Sequence, residues 1–527
     1  MGRTPLFHLL QRAARIARAS LHDPAPLDEF IGQGEALRID RARRRLLQAA
    51  GAGALLAGCR TLPLAAMPAG EEVVVIGAGI AGLTAAWRLR QQGVRVRVFE
   101  ASGRVGGRMH SLQARLAPGE GAPQVFELGG ELIDTDHVRI RALAAELGLV
   151  LDDLLEGDDG HDTWFFDGRA IEEREIVAAF VPVAAAIERD LATLGDGDIL
   201  YTAPQGAQAL DALSIAQWLD RNGVSGWLRR LIDVAYTTEM GLETDRQSAL
   251  NFLTFIGTDE PDRFAVFGAS DERFHVRGGN DLIVRGLGQR LDDAIETGSA
   301  LEAVRGDTDG YALSLRRDGA TREVRARQVV LALPFTLLRK VRIDVGLPAA
   351  KRRAIDTLAY GTNAKLMIGF AGRPWRTHGA NGASFTDLPF QSTWETTRKQ
   401  TGEGGALTNF TGGAHGLALG QGTPGQQAAA AAADLDRVFP GALAARAGAR
   451  EVRMHWPSQP WALGSYACLG PGDWTGLRGA MGESVGGLHF AGEHCALDTQ
   501  GFMEGGCESG EAAAATVLAA LRLPRAA

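Results

Sequence analysis

Apolar and polar positions change period along the chain, and the changes mark its elements. Val73-Val74-Val75-Ile76 is an unbroken apolar run, the pattern of a strand buried on both faces. A helix-period stretch follows through Ala86 and Leu89 and stops at Gly93; Val94 to Phe99 then reads as a second strand. A Gly/Pro-rich loop (Pro118 to Pro123) leads to a short strand, Val125 to Leu128. Asp136 to Leu147 has helical period with a stop at Gly148. From about 170 to 257 the pattern is mainly helical, with Ser214 placed to cap the turn carrying Ile215, Trp218 and Leu219. Past residue 275 the period changes again: a helix over Leu282 to Leu291, then short alternating strands joined at Asp318-Gly319. Val329 to Leu333 predicts a further buried strand, ended by Pro334. Residues 345 to 455 mix strands, loops and an alanine-rich helix, Gln426 to Val438. A strand–turn pattern returns at Gly486 to Gly492, and Gly510 to Leu521 predicts a closing helix. No internal repeat is visible.

The junction of the first strand and helix carries chemistry. Gly77-Ala78-Gly79-Ile80-Ala81-Gly82 has the glycine spacing of a dinucleotide turn. Gly77 permits the tight turn, Gly79 lets the backbone approach a pyrophosphate, and Gly82 lets helix pack on strand. The second strand delivers Glu100 eighteen residues after Gly82, where a carboxylate can accept from ribose hydroxyls. An ordinary tight turn would not account for Glu100. The alternation of patterns therefore predicts an α/β chain of two interleaved domains. Residues 71–135, 271–345 and 456–527 form the Rossmann-type dinucleotide domain; 136–270 and 346–455 form an α+β domain over the cofactor's reactive end.

Composition narrows the setting. At 527 residues, 45% hydrophobic and 22% charged, the chain is long enough for two or three globular domains. The net charge of -8 gives no reason to expect nucleic acid as a partner. Residues 1–60, however, hold ten Arg and five acids, leaving -13 for the remainder, so 1–70 reads as a separate N-terminal basic segment. Arg43-Arg44-Arg45-Leu46-Leu47-Gln48 ahead of the apolar stretch Ala49 to Gly58 resembles a twin-arginine export signal. Leu56-Ala57-Gly58-Cys59 resembles a lipobox, which would make Cys59 a lipid anchor. This predicts an exported protein, periplasmic or a membrane-anchored lipoprotein. The alternative is a basic alanine-rich helix with a chance cysteine on a cytoplasmic protein. Some forty residues precede the arginines, which is long for a signal; Leu6 to Ala19 is either a short basic amphipathic helix or an over-extended start of the reading frame. The other cysteines, Cys468, Cys495 and Cys507, lack metal-ligand spacing; at most two of them can pair, the sequence does not say which, and buried free thiols are the plainer expectation; no metal site is expected.

Six blocks together give the chain a resemblance to the flavin-containing amine oxidases, a group including monoamine and polyamine oxidases, L-amino acid oxidases and lysine-specific histone demethylases. The blocks are the opening turn with Gly106-Gly107-Arg108, then Glu127-Leu128-Gly129-Gly130-Glu131-Leu132, then Arg277-Gly278-Gly279-Asn280. Tyr360 to Lys365, Trp456 to Tyr466, and His489 to His494 with Gln500 to Gly506 complete the set. The resemblance covers about 71 to 522 and implies FAD as cofactor. It places Arg108 at the diphosphate and Gly129, Gly130 and Glu131 beside the flavin. It also puts Val304 at the adenine, and Gly492, Glu493 and Met503 in the closing cofactor motif. It implies that Lys365 holds a water against flavin N5, and that Tyr466 and Phe502 are walls of an aromatic cage. Monoamine oxidases carry a flavin-bound cysteine where Ser465 stands here, so non-covalent FAD is expected.

The implied reaction is oxidation of a primary or secondary amine to an imine, by hydride transfer to the flavin, with oxygen or another acceptor taking the electrons. L-amino acid oxidases of this group commonly carry an arginine just after the glycines of the second block; Glu131-Leu132-Ile133 stands here, which favours amines. Arg139, Arg141, Arg277 or Arg453 could still meet a carboxylate, so L-amino acid oxidation stays open. So does an exported flavin-binding module acting through a partner. Oligomeric state is not readable.

Overall fold

The computed structural model describes residue 17 and residues 72–115, 123–158, 160–256, 270–446 and 451–522. The export-signal motif, Cys59 and most of the Pro118 to Pro123 loop lie outside the described residues.

The fold is α/β, and its centre is a parallel sheet. Strand β1 (Glu72–Ile76) lies between β2 (Arg95–Phe99) and the strand Gln328–Leu331, with Leu488–Phe490 and Ile295–Glu296 at the edges. Val73, Val74 and Val75 are fully buried, as a central parallel strand requires. Helix α1 (Ile80–Gln91) crosses from β1 to β2 and packs against helix α3 (Met503–Arg522), the last of the described residues.

The start of α3 differs from the expected Gly510. The segment Met503 to Gly510 is helical despite its glycines, because those glycines face close neighbours. A Cβ on Gly506 would stand 2.5 Å from Ile80 Cγ2, and one on Gly510 would stand 2.4 Å from Ala81 O. The glycines are the price of bringing α3 onto α1, not a helix boundary.

A second sheet belongs to residues 136–170 and 346–455. Its seven strands include Ala364–Phe370 (β3), flanked by Val452–His455 and Gly405–Thr411, and reach His161–Phe166 through Ser392–Glu395 and Ala380–Thr386. Every residue of β3 is buried. Helix α2 (Gly226–Met240) packs on this sheet and ends at Gly241, in left-handed conformation. Ser214 caps its helix as expected: its hydroxyl accepts from Gln217 N, and the Gln217 side chain returns to Ser214 N at 3.0 Å. Asp318 and Gly319, both at positive φ, turn the hairpin between Gly310–Arg317 and Ala320–Ala326. Cys468 and Cys507 are buried free thiols and Cys495 a half-buried one.

Candidate active site

The turn after β1 is built for an anion. Gly77 takes φ +101°, and a Cβ there would stand 2.5 Å from Ala332 O; one on Gly82 would stand 1.9 Å from Gly77 O. Gly79 differs, since a Cβ there would meet nothing within 4 Å. It is also the N-cap of α1, with no side-chain cap and no acid in the first turn. Open space therefore faces unsatisfied helix N–H groups, which suits a diphosphate. Glu100 is buried and accepts from Ala78 N and Ser102 N, each at 2.8 Å. A carboxylate has about four lone-pair sites, so roughly two remain for ribose hydroxyls.

The other predicted cofactor residues converge on this turn. Gly106 N donates to Ala78 O at 2.7 Å, laying Gly106-Gly107-Arg108 across it. Arg108 Nη1 donates to Glu493 Oε1 at 2.9 Å and to Ser465 O, and Glu493 Oε1 also accepts from Ala467 N at 3.1 Å. Three blocks far apart in sequence thus meet at one guanidinium. Gly129 and Gly130 are pressed between neighbours: a Cβ would stand 1.8 Å from Arg108 O and 2.7 Å from Met503 Cγ, respectively. Gly492 N donates to Ser509 Oγ at 2.9 Å, tying the closing motif to α3. Val304 is buried in Ala300–Asp307, in register with Leu313 and Ile343. The cradle, the placed carboxylate and the uncapped helix fit FAD.

Lys365, 5% exposed, reaches from β3 to the second block. Its Nζ donates to Glu131 Oε2 at 2.7 Å, Gly129 O at 2.9 Å and Glu127 O at 3.1 Å. Glu131 Oε1 accepts from Trp394 Nε1 at 2.9 Å and Thr396 Oγ1 at 3.0 Å. Burial pushes the Glu131 carboxyl up, but the Lys365 ammonium and these hydrogen bonds outweigh it and hold it below the usual carboxylate range. The Glu131 carboxylate is turned to Lys365, Trp394 and Thr396 and acts as the lysine's counterion. And an ammonium has three N–H donors, all of which have protein acceptors here. To hold a water, Lys365 must release one of them.

Tyr466 and Phe502 are fixed separately. The Tyr466 hydroxyl donates to Thr238 O at 3.1 Å, near the end of α2. Phe502 stands edge-on to His137, with centroids 5.1 Å apart. Asp134 N donates to His137 Nδ1 at 3.0 Å, and burial lowers the His137 pKa to about 4, so the imidazole is neutral. Asp134, Asp136 and His137 present ligand-type atoms within 4.8 Å of one another; the Asp134–His137 bond holds the imidazole against Phe502. Ser465 is buried and donates to Asn363 Oδ1 at 2.6 Å.

Several participants were not singled out from sequence. Trp394, Thr396, Thr238 and His137 come from segments without a glycine signature. Asn280 closes the third block by donating to Gly130 O at 3.1 Å and Glu131 O at 2.7 Å. The four arginines considered for a substrate carboxylate are engaged elsewhere. Arg139 pairs with Glu504 and Glu511, Arg141 with Thr135 O, Arg277 with Asp152, and Arg453 with Leu419 O and Gln421 O.

Residues 80–518 match the family model described as flavin containing amine oxidoreductase. The chain is 26% identical over 467 residues to a flavin-containing amine oxidase of Danio rerio, covering 85% of this chain and 86% of that protein. It is 27% identical over 475 residues to the flavin-dependent L-tryptophan oxidase of Lentzea aerocolonigenes, covering 84% and 97%. Among solved structures it is similar to cyclohexylamine oxidase from Brevibacterium oxydans IH-35A, with TM-score 0.75, 25% identity, and 86% and 100% covered.

Proposed function

The chain belongs to the flavin-containing amine oxidoreductase family, and from that premise we propose that it oxidises primary or secondary amines lacking a carboxylate, with oxygen as electron acceptor. It is an FAD-dependent oxidoreductase of amines. FAD held here would supply the hydride acceptor and the route by which electrons reach oxygen as hydrogen peroxide. The protein's part is to hold and position. Gly77, Gly79, Gly82, Glu100 and Arg108 would hold the dinucleotide. Tyr466 and Phe502 would confine the amine in an apolar slot that favours its neutral form. Lys365, oriented by Glu131, would assist reoxidation or imine hydrolysis. Ser465 offers no thiol, so we take the FAD to be non-covalent.

The observation that carries the choice of amines is the engagement of Arg139, Arg141, Arg277 and Arg453 away from Lys365 and Glu131. The second reading, L-amino acid oxidation, draws on Arg398, whose buried Nε has no hydrogen-bond partner among the described residues, and on the similarity to an L-tryptophan oxidase. Peroxide release over a panel of amines and L-amino acids separates them. Turnover of amines alone supports the first reading, turnover of amino acids alone the second. A flavin-loaded protein that turns over neither favours a module acting through a partner. We also propose export with lipidation at Cys59, supported by Arg43-Arg44-Arg45 and Leu56 to Cys59. Mass spectrometry of the mature N-terminus tests it: a diacylated Cys59 is expected, and an unprocessed chain would refute it.

A further inference from the structure

Glu272 is a buried acid that the account so far leaves without work. It is 6% exposed, and its Oε1 is buried with no hydrogen-bond partner among the described residues. Its backbone is held in the left-handed region, φ +44°, unusual for a residue with a side chain. Two contacts hold it there. Glu272 N donates to Asp134 Oδ1 at 2.7 Å, and the next strand is pinned to the second block by Phe274 N to Ile133 O at 2.8 Å.

Its surroundings place it centrally. The charges that act on its carboxyl are those of Asp134, Glu239 and Glu131, opposed by Arg398. One of these acids contacts a candidate catalytic residue directly and the other two lead to one through a neighbour. Glu131 pairs with Lys365; Glu239 follows Thr238, whose carbonyl accepts from Tyr466; Asp134 binds His137, which meets Phe502 edge-on. Glu272 is thus tied through Asp134 to the segment that runs from Glu131 to His137, and among the described residues nothing satisfies its Oε1.

We infer that Glu272 is the acid that receives the nitrogen of the substrate and selects for an amine over a carboxylate-bearing molecule. The inference rests on the amine reading above. Burial, with Asp134 and Glu239 nearby, pushes the empty-site Glu272 carboxyl well above the usual range. Nitrogen and acid then share one proton. Ammonium facing carboxylate becomes amine facing carboxylic acid when one N–H bond breaks and one O–H bond forms, and the dry site favours the uncharged pair, the form that is oxidised. Glu272 offers a substrate carboxylate no cation to pair with.

The test uses FAD-loaded protein and 2-phenylpropan-2-amine, whose nitrogen-bearing carbon has no hydrogen to lose, with binding read from the flavin spectrum. Wild type is expected to bind it and Glu272→Gln to bind roughly tenfold to a hundredfold more weakly, while the alcohol 2-phenylpropan-2-ol binds both alike. Equal binding of the amine by a Glu272→Gln protein that keeps its flavin overturns the inference. Wild type is also expected to release about one proton per ammonium bound near neutral pH. No release overturns the inference even if the variant fails to fold. Wild type that binds benzoate and ignores the amine removes the amine reading itself; wild type that oxidises amines while Glu272→Gln is unaffected removes only the role of Glu272.

Discussion

Replacing Lys365 by Met separates the structural from the chemical role of the Lys365–Glu131 pair. Both side chains are almost wholly buried, and the variant leaves Glu131 with Trp394 and Thr396 but no counterion. Removing one partner of such a pair costs about 3–5 kcal/mol, because the remaining charge is stranded. Two carbonyls, Glu127 O and Gly129 O, lose their donor as well. Glu131→Gln should also destabilise, since it strands the ammonium. The double variant Lys365→Met/Glu131→Gln removes both charges and should be less damaging than the sum of the two, by roughly 1–3 kcal/mol. The assay is urea unfolding of the FAD-loaded proteins, followed by flavin release and circular dichroism. Turnover should stay low in the double variant even where stability recovers, because the ammonium is gone. Additive losses, or a Lys365→Met protein as stable as wild type, would refute the claim that Glu131 is the lysine's counterion.

Denaturing the yellow protein in acid should release all colour into the supernatant, since Ser465 cannot form a thioether; colour kept in the pellet contradicts this. Gly82→Ala puts a methyl 1.9 Å from Gly77 O, so purified protein should contain little FAD, while wild-type flavin content would refute the close approach. Burial depresses His137 and His489 to about 4 and His494 to about 3, against a usual value of 6.5. The unfolded chain therefore takes up protons first as pH falls. Stability from these groups is complete above about pH 6.5 and is lost toward pH 4, by up to about 1.4 kcal/mol per pH unit for each histidine. Urea midpoints from pH 7 to 5 should fall accordingly, and His494→Phe should flatten that fall; an unchanged slope rejects the assignment for His494.

What was legible in the sequence was local. The β1–α1–β2 unit is dictated by neighbouring residues: an apolar run, glycines at fixed spacing and an acid at the next strand end. Ser214 and Asp318-Gly319 are likewise short-range signals. The start of α3 was misread because Gly505, Gly506 and Gly510 suggest a break when taken alone; only contact with Thr499 and Ala496 for the first, and with Ile80, Ala81 and Thr84 for the other two, gives them a packing role. The Lys365 counterion was hidden for a similar reason. Glu131 lies 234 residues away, and its other partners, Trp394 and Thr396, are brought to it by the register of the seven-stranded sheet. That sheet also pairs His161–Phe166 in parallel with Ala380–Thr386, a contact no local pattern announces.

The measurement that bears most directly on the central claim is anaerobic mixing of the FAD-loaded protein with single amines and L-amino acids, followed by admission of oxygen. Amine oxidation predicts that an amine without a carboxylate bleaches the flavin's visible absorbance. Oxygen should then restore the absorbance and produce one hydrogen peroxide for each amine consumed. A flavin that no amine bleaches, or that only amino acids bleach, would contradict it.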